Sequence, residues 1–134
     1  MKSPYRSAND LVSEARSKYM RFSPQNAFVA MGRGALLVDT RYLQQRMRDG
    51  DVPDSMHVES NELLWRCDPN SQFRDQRVKV GSFLIIMCNQ GFSSSLAAAT
   101  LLDMELPIGG VTDVIGGFEA WKSAGLPSVP YVES

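Results

Sequence analysis

The chain is 134 residues long, 43% hydrophobic and 22% charged, with 14 basic and 15 acidic residues and a net charge of −1. That composition fits one soluble globular domain with its own core and leaves no basic surplus to favour nucleic acid or an anionic membrane surface. No run approaches the roughly 18 apolar residues of a membrane span. Two cysteines and one histidine, without CxxC or HxxxH spacing, build neither a disulfide framework nor a structural zinc site.

The opening Met1-Lys-Ser-Pro-Tyr-Arg6 has charge but no apolar core behind it, so no signal peptide is expected and a reducing, cytoplasmic setting is the default. Residues 8–20 predict an amphipathic helix with Leu11, Val12, Ala15 and Tyr19 near one face. Ser23-Pro24 reads as an N-cap followed by proline at the first helical position. The helix it starts carries Ala27, Phe28 and Met31 and stops at Gly32 or Gly34. Ala35-Leu-Leu-Val38, ending in Asp39, has the look of a buried parallel strand. Arg41 to Arg48 is read as helix, Gly50–Ser55 as turn and Met56–Val58 as a short strand, with Asn61 capping a short helix over 62–66. Residues 67–81 are polar loop with at most one helical turn.

Phe83-Leu-Ile-Ile-Met87 is a buried strand, and Leu96-Ala-Ala-Ala-Thr-Leu-Leu102 lies within a helix of about 94–104. Between them runs Cys88-Asn-Gln-Gly-Phe-Ser-Ser-Ser95. A thiol at a strand end and a helix start meets the positive end of the helix dipole and unpaired N–H groups. Its pKa is expected to fall, leaving it partly as thiolate. Val111–Ile115 then reads as strand, Gly116-Gly117 as a turn that lets the next helix pack closely, and Phe118–Ala124 as a helix ended by Gly125. Residues 130–134 form a tail ordered only by docking. The alternation of strands and helices predicts an α/β domain around a mostly parallel sheet, with ligands at the carboxyl ends of the strands, where Cys88 lies.

Four pieces in order, Leu37-Val-Asp-Thr-Arg41, Gly50-Asp-Val-Pro53, Cys88-Asn-Gln-Gly91 with Ser94 and Ala97-Ala98, and Asp113-Val-Ile-Gly-Gly-Phe-Glu-Ala-Trp121 with Ala124-Gly-Leu-Pro127, resemble a single-domain rhodanese, a thiosulfate sulfurtransferase. The resemblance covers about residues 34–128. It implies a three-layer α/β fold with helices on both sheet faces; outside it, residues 1–33 are expected as an N-terminal helical segment packed on that domain and 129–134 as a C-terminal tail. It also implies a persulfide mechanism without a cofactor. Cys88 would be the nucleophile, loaded by thiosulfate or another donor and unloaded by cyanide or a thiol. Asn89, Gln90, Gly91, Phe92, Ser93 and Ser94 would surround the substrate. The expected partners are a small sulfur-containing anion and a thiol acceptor, with a protein donor or acceptor as a further option.

The loop departs from the common rhodanese pattern. The basic residue after the cysteine is Asn89, the arginine before the helix-start serine is Ser93, and the histidine of the glycine-histidine-isoleucine-proline motif is Asp51. The loop thus brings no cation of its own, and Arg46, Arg66 and Arg41 are the candidates to supply one. Related phosphatases and arsenate reductases need an arginine six residues after the cysteine to grip an oxyanion; position 94 is serine, which argues against that chemistry.

The blander readings are these. Arg46 and Arg66 are as readily surface ion pairs as substrate contacts, and Arg41 pairs simply with Asp39 or a surface carboxylate. Asp39 is expected to support neighbouring loops, because a carboxylate beside the thiolate would raise its pKa. Ser94 is most simply an N-cap. Cys67 reads as an incidental thiol and His57 as a packed or surface residue, while Trp65 and Trp121 read as core or rim packing. Beside the enzyme stand two rival functions: a persulfide relay to a protein partner, and a silent binding module.

Overall fold

Both faces of the central strands are apolar because both are covered. The computed structural model describes residues 4–133; Met1–Ser3, the head of the stretch read for a leader, and Ser134, the end of the tail, lie outside them. In chain order the elements are α1 (Ala8–Arg16), α2 (Pro24–Met31), β1 (Leu36–Asp39), α3 (Leu43–Asp49), β2 (Met56–His57), α4 (Leu63–Arg66), β3 (Phe83–Met87), α5 (Ser93–Asp103), β4 (Gly110–Asp113) and α6 (Gly117–Ser123), with a 3₁₀ turn at Ser60–Glu62. The strands form one parallel sheet in the order β2-β1-β3-β4. Alternate side chains then enter two cores. Val38, Leu84 and Ile86 pack with Leu63, Ala98 and Leu101 of α4 and α5. Leu37, Ile85 and Met87 pack on the other face with Ala27 of α2 and with Phe118 and Trp121 of α6. This is the three-layer α/β domain expected. Among the described residues no helix is long and apolar enough to cross a membrane.

Several boundaries move, each for a local reason. The first helix stops at Arg16, not residue 20, and Leu11 faces solvent. Past it the chain extends, and Phe22 bridges to Val114 in parallel, donating its N–H to the Asp113 carbonyl at 3.1 Å and accepting from Ile115 at 2.9 Å. A one-residue strand thus continues the sheet beyond β4. Ser23 then caps α2 as expected, its Oγ accepting the Asn26 N–H at 3.1 Å. α3 begins at Leu43, because Arg41 is buried. Asn61 is not the cap: Glu62 stands at the start of α4 without a side-chain capping bond, since the 3₁₀ turn feeds directly into the helix. Residues 68–82 form successive hydrogen-bonded turns. Trp121 is fully buried, its indole N–H donating to the Pro127 carbonyl at 2.9 Å, whereas Trp65 is exposed. The tail docks through paired backbone bonds between Asp51 and Val129.

Candidate active site around Cys88

The parallel register brings the ends of β1, β3 and β4 to one edge of the sheet. Asp39 pairs with Met87 and Asp113 with Ile86, so Cys88 leaves the sheet between two aspartates. The loop from Cys88 to Phe92 curls back on its own sulfur. Gly91 N–H donates to Cys88 Sγ at 3.1 Å and Ser94 N–H donates at 3.4 Å. Gly91 has φ +87°, a conformation that favours glycine, and a side chain there would strike the Gly116 backbone. From the other side, Phe118 N–H binds the Cys88 carbonyl at 2.9 Å and Glu119 N–H binds that of Asn89 at 3.0 Å. This approach is close enough that a Cβ on Gly117 would lie 2.5 Å from the Cys88 oxygen. The glycine pair read as a turn is thus also the wall against which the loop rests.

Burial pushes the Cys88 thiol up, but side-chain hydrogen bonding with Ser94 and Ser93 and the two backbone N–H bonds outweigh it, so its pKa falls below the ordinary value. Only 7% of the residue is exposed. Cys67 has the opposite setting: it is buried among apolar side chains, and desolvation with Asp75 nearby pushes its thiol up to about 12.

The loop residues divide by exposure. Gln90, Phe92 and Ser93 face solvent, and Asn89 is partly buried, its Nδ2 donating to Glu119 Oε2 at 3.1 Å while Oδ1 finds no partner among the described residues. Beside Asn89 an open cavity of about 460 Å³ is lined by Arg48, Phe118, Glu119 and Lys122. Ser94 is fully buried and is not the N-cap of α5. The helix begins at Ser93, after Phe92, and the N–H groups of Gly91 in the loop and Ser94 in the first turn are aimed at sulfur rather than at a capping side chain.

The three arginines proposed as distant cations have other bonds. Arg46 donates to both oxygens of Asp51 at 2.8 and 3.2 Å and lies over Tyr131. Arg66 donates to Glu62 at 2.6 Å and to the Phe73 carbonyl at 3.0 Å. Arg41 is buried, holds Asp39 with two nitrogens, donates to the Gly50 carbonyl at 2.8 Å and sits 3.7 Å over the Phe118 ring. Asp39 also accepts the Arg41 backbone N–H. His57 lies 3.8 Å from both Asp39 and Asp51; burial and the charge of Arg46 lower its pKa against the pull of the two carboxylates. With Arg41 and Arg46 in place, this aspartate pair is already charge-balanced and does not call for a metal cation.

The cations that do reach the loop come from the N-terminal segment. Arg16 donates to the Gly91 carbonyl at 2.7 Å and to Ser95 Oγ at 3.0 Å, and lies over Phe92; Arg21 donates to the same carbonyl at 3.1 Å. Arg21 also grips Asp113 at 2.8 and 3.1 Å, joined there by Tyr19, Ser94 and Ser95. Burial alone would raise the Asp113 pKa, but the Arg21 guanidinium and these hydroxyls lower it, so the carboxylate is held ionised. The sequence gives little sign of this set because its two arginines lie 75 and 70 residues before Gly91. The available signal was Asp113 itself, a carboxylate closing a buried strand and needing a counter-charge.

The sequence profile of the Rhodanese-like domain matches residues 24–124. The chain is similar to the thiosulfate sulfurtransferase GlpE of Pseudomonas savastanoi pv. phaseolicola, 29% identical over 107 residues that cover 80% of this chain and 91% of that protein. A solved structure from Rhodopseudomonas palustris, described as a protein of unknown function and possible tyrosine phosphatase, superimposes with a TM-score of 0.82 at 28% identity, covering 96% of this chain and 98% of that one. A thiosulfate sulfurtransferase from Pseudomonas aeruginosa shares the fold at 19% identity and a TM-score of 0.69; the match covers 90% of this chain and 22% of that one.

Proposed function

The chain belongs to the Rhodanese-like domain family, and on that premise we propose that it is a sulfurtransferase carrying a sulfane sulfur on Cys88. The observation that carries this reading is the sulfur ringed by two backbone N–H groups at the start of α5, with its pKa held below the ordinary value. The thiolate attacks the outer sulfur of thiosulfate; the S–S bond breaks and sulfite leaves with the electron pair. The resulting Cys88 persulfide is attacked at its outer sulfur by cyanide or a thiol, and the Cys88 thiolate returns. The N–H groups of Gly91 and Ser94 stabilise charge on sulfur at both stages. Asn89, Gln90, Phe92 and Ser93 form the rim that meets donor and acceptor, and Arg48 and Lys122 on the cavity beside Asn89 offer positive charge to a small anion. Asp39 and Arg41 support the neighbouring loop; Arg46 and Arg66 take no part in the chemistry.

Residues 34–128 are read as the sulfurtransferase core, with 1–33 bracing its loop. A cytoplasmic, reduced setting suits the free thiols. The serine at position 94 argues against phosphatase chemistry, which needs a bidentate arginine there. A second reading, a relay to a protein donor or acceptor, is favoured by exposed Phe92 on a loop with no cation of its own. Thiosulfate-to-cyanide turnover tests the first reading. Cys88→Ser abolishes it with the fold retained; full activity in that variant overturns the assignment.

A further inference from the structure

Asp113 closes β4 with no exposed surface and accepts five hydrogen bonds. Oδ1 takes Tyr19 Oη and Arg21 Nε, each at 2.8 Å; Oδ2 takes Arg21 Nη2 at 3.1 Å, Ser94 Oγ at 2.8 Å and Ser95 Oγ at 2.9 Å. Ser94 Oγ also stands 3.3 Å from Cys88 Sγ. A carboxylate only accepts, so the Ser94 hydroxyl proton points at Asp113 and its lone pair faces the sulfur. That arrangement suits a thiol, whose S–H donates to Ser94. It does not suit a thiolate, which has no proton to give and meets a lone pair. When Cys88 gives its proton to a base in solution, the sulfur is left with the N–H groups of Gly91 and Ser94 and the Ser93 side chain, and it gains the Ser94 hydroxyl only if that single proton swings over from Asp113, which keeps its bonds from Ser95, Tyr19 and Arg21. The two acceptors compete for one proton.

We propose that Asp113 is a positioning residue for Cys88, acting through the one hydroxyl proton of Ser94 to set how readily the thiol ionises. The inference rests on Cys88 being the sulfur carrier. Asp113 opposes the two backbone N–H groups that draw charge onto the sulfur. The other charged and titratable groups around the loop are Arg16 and Arg21 on the Gly91 carbonyl, Glu119 on Asn89, Arg48 and Lys122 on the adjacent cavity, and Asp39 with Arg41 and His57 at the end of β1. No hydrogen bond links any of these to Ser94 among the described residues; Tyr19 meets the set through Asp113 and Ser95.

The test is the pH dependence of Cys88 alkylation by iodoacetamide in the full chain, mapped to Cys88 by peptide mass. Asp113→Asn frees the Ser94 proton and lowers the ionisation midpoint by about one unit. Ser94→Ala removes a donor from the thiolate and raises it by about one unit. Losing the carboxylate's charge also lowers the midpoint, so the two changes are combined: in the Ser94→Ala background the Asp113→Asn shift drops to under half. A purely structural Asp113 gives the opposite sign, since a loosened loop lets the thiol rise toward its ordinary value of about 8.5. If Asp113→Asn does not fold, Tyr19→Phe decides. It takes one donor from Asp113, strengthens the carboxylate's hold on Ser94 and raises the midpoint by roughly half a unit; an unmoved midpoint overturns the proposal. So does an undiminished Asp113→Asn shift without Ser94. Alkylation uses no sulfur donor, so a wild-type protein that fails to load sulfur overturns the sulfurtransferase reading while leaving these shifts in place.

Discussion

Replacing Arg21 by Met tests whether the N-terminal segment braces the loop by electrostatics or only by covering it. Methionine keeps most of the apolar stem that Arg21 buries, so the change isolates the guanidinium. The variant loses two charge-assisted bonds to Asp113 and one to the Gly91 carbonyl. Removing one partner of a buried ion pair costs about 3–5 kcal/mol, chiefly because the other charge stays buried alone. Asp113 retains donors on Tyr19, Ser94 and Ser95, each worth about 1 kcal/mol net, which places the expected loss near 3 kcal/mol. The pH dependence has a definite sign. Asp113 is depressed in the folded protein, so its stabilisation is fully present above the unfolded carboxylate pKa of about 3.9 and disappears as pH falls through the lower folded value. Without Arg21 that depression shrinks. Urea unfolding at neutral pH therefore shows the full loss, and the gap between the two proteins narrows below roughly pH 4. A neutral-pH loss under about 1 kcal/mol, or a gap that ignores pH, refutes the electrostatic brace.

Gly117→Ala forces a Cβ to 2.5 Å from the Cys88 oxygen at a backbone φ of +61°. Overpacking and left-handed strain together cost about 2–4 kcal/mol in thermal or urea unfolding, and Cys88 alkylation changes with them; a variant as stable as the parent contradicts the packed glycine wall. Native protein at about pH 8 is alkylated at Cys88 and not at Cys67, whose thiol is fully buried and stays protonated. Comparable labelling of both cysteines in peptide mass maps counts against that contrast.

Core strands were legible because full burial leaves no polar alternation: Leu36–Asp39 and Phe83–Met87 read as continuous apolar runs. Ser23 and Pro24 announced α2 through capping chemistry alone. The Cys88 loop was legible as a strand-to-helix junction with a glycine where the chain must curl. Its supports were not. Arg16, Tyr19 and Arg21 reach it because a one-residue strand at Phe22 pairs beside Val114, and pairing that short has no periodicity to detect. Ser94 departs from its expected role for a related reason: serine at a helix start signals a cap, but here its own N–H serves a sulfur, and the hydroxyl is drawn to a carboxylate 19 residues away. Arg46 and Arg66 were plausible cations by type, yet each found a carboxylate close by in sequence.

The central claim is that Cys88 carries sulfur. Intact-mass spectrometry after incubation with thiosulfate, followed by peptide mapping, tests it directly. One added sulfur atom is expected on Cys88 and none on Cys67, with loss of the added mass when cyanide or a thiol is supplied. An unmodified Cys88 with every donor tried, or sulfur carried on Cys67 instead, contradicts it.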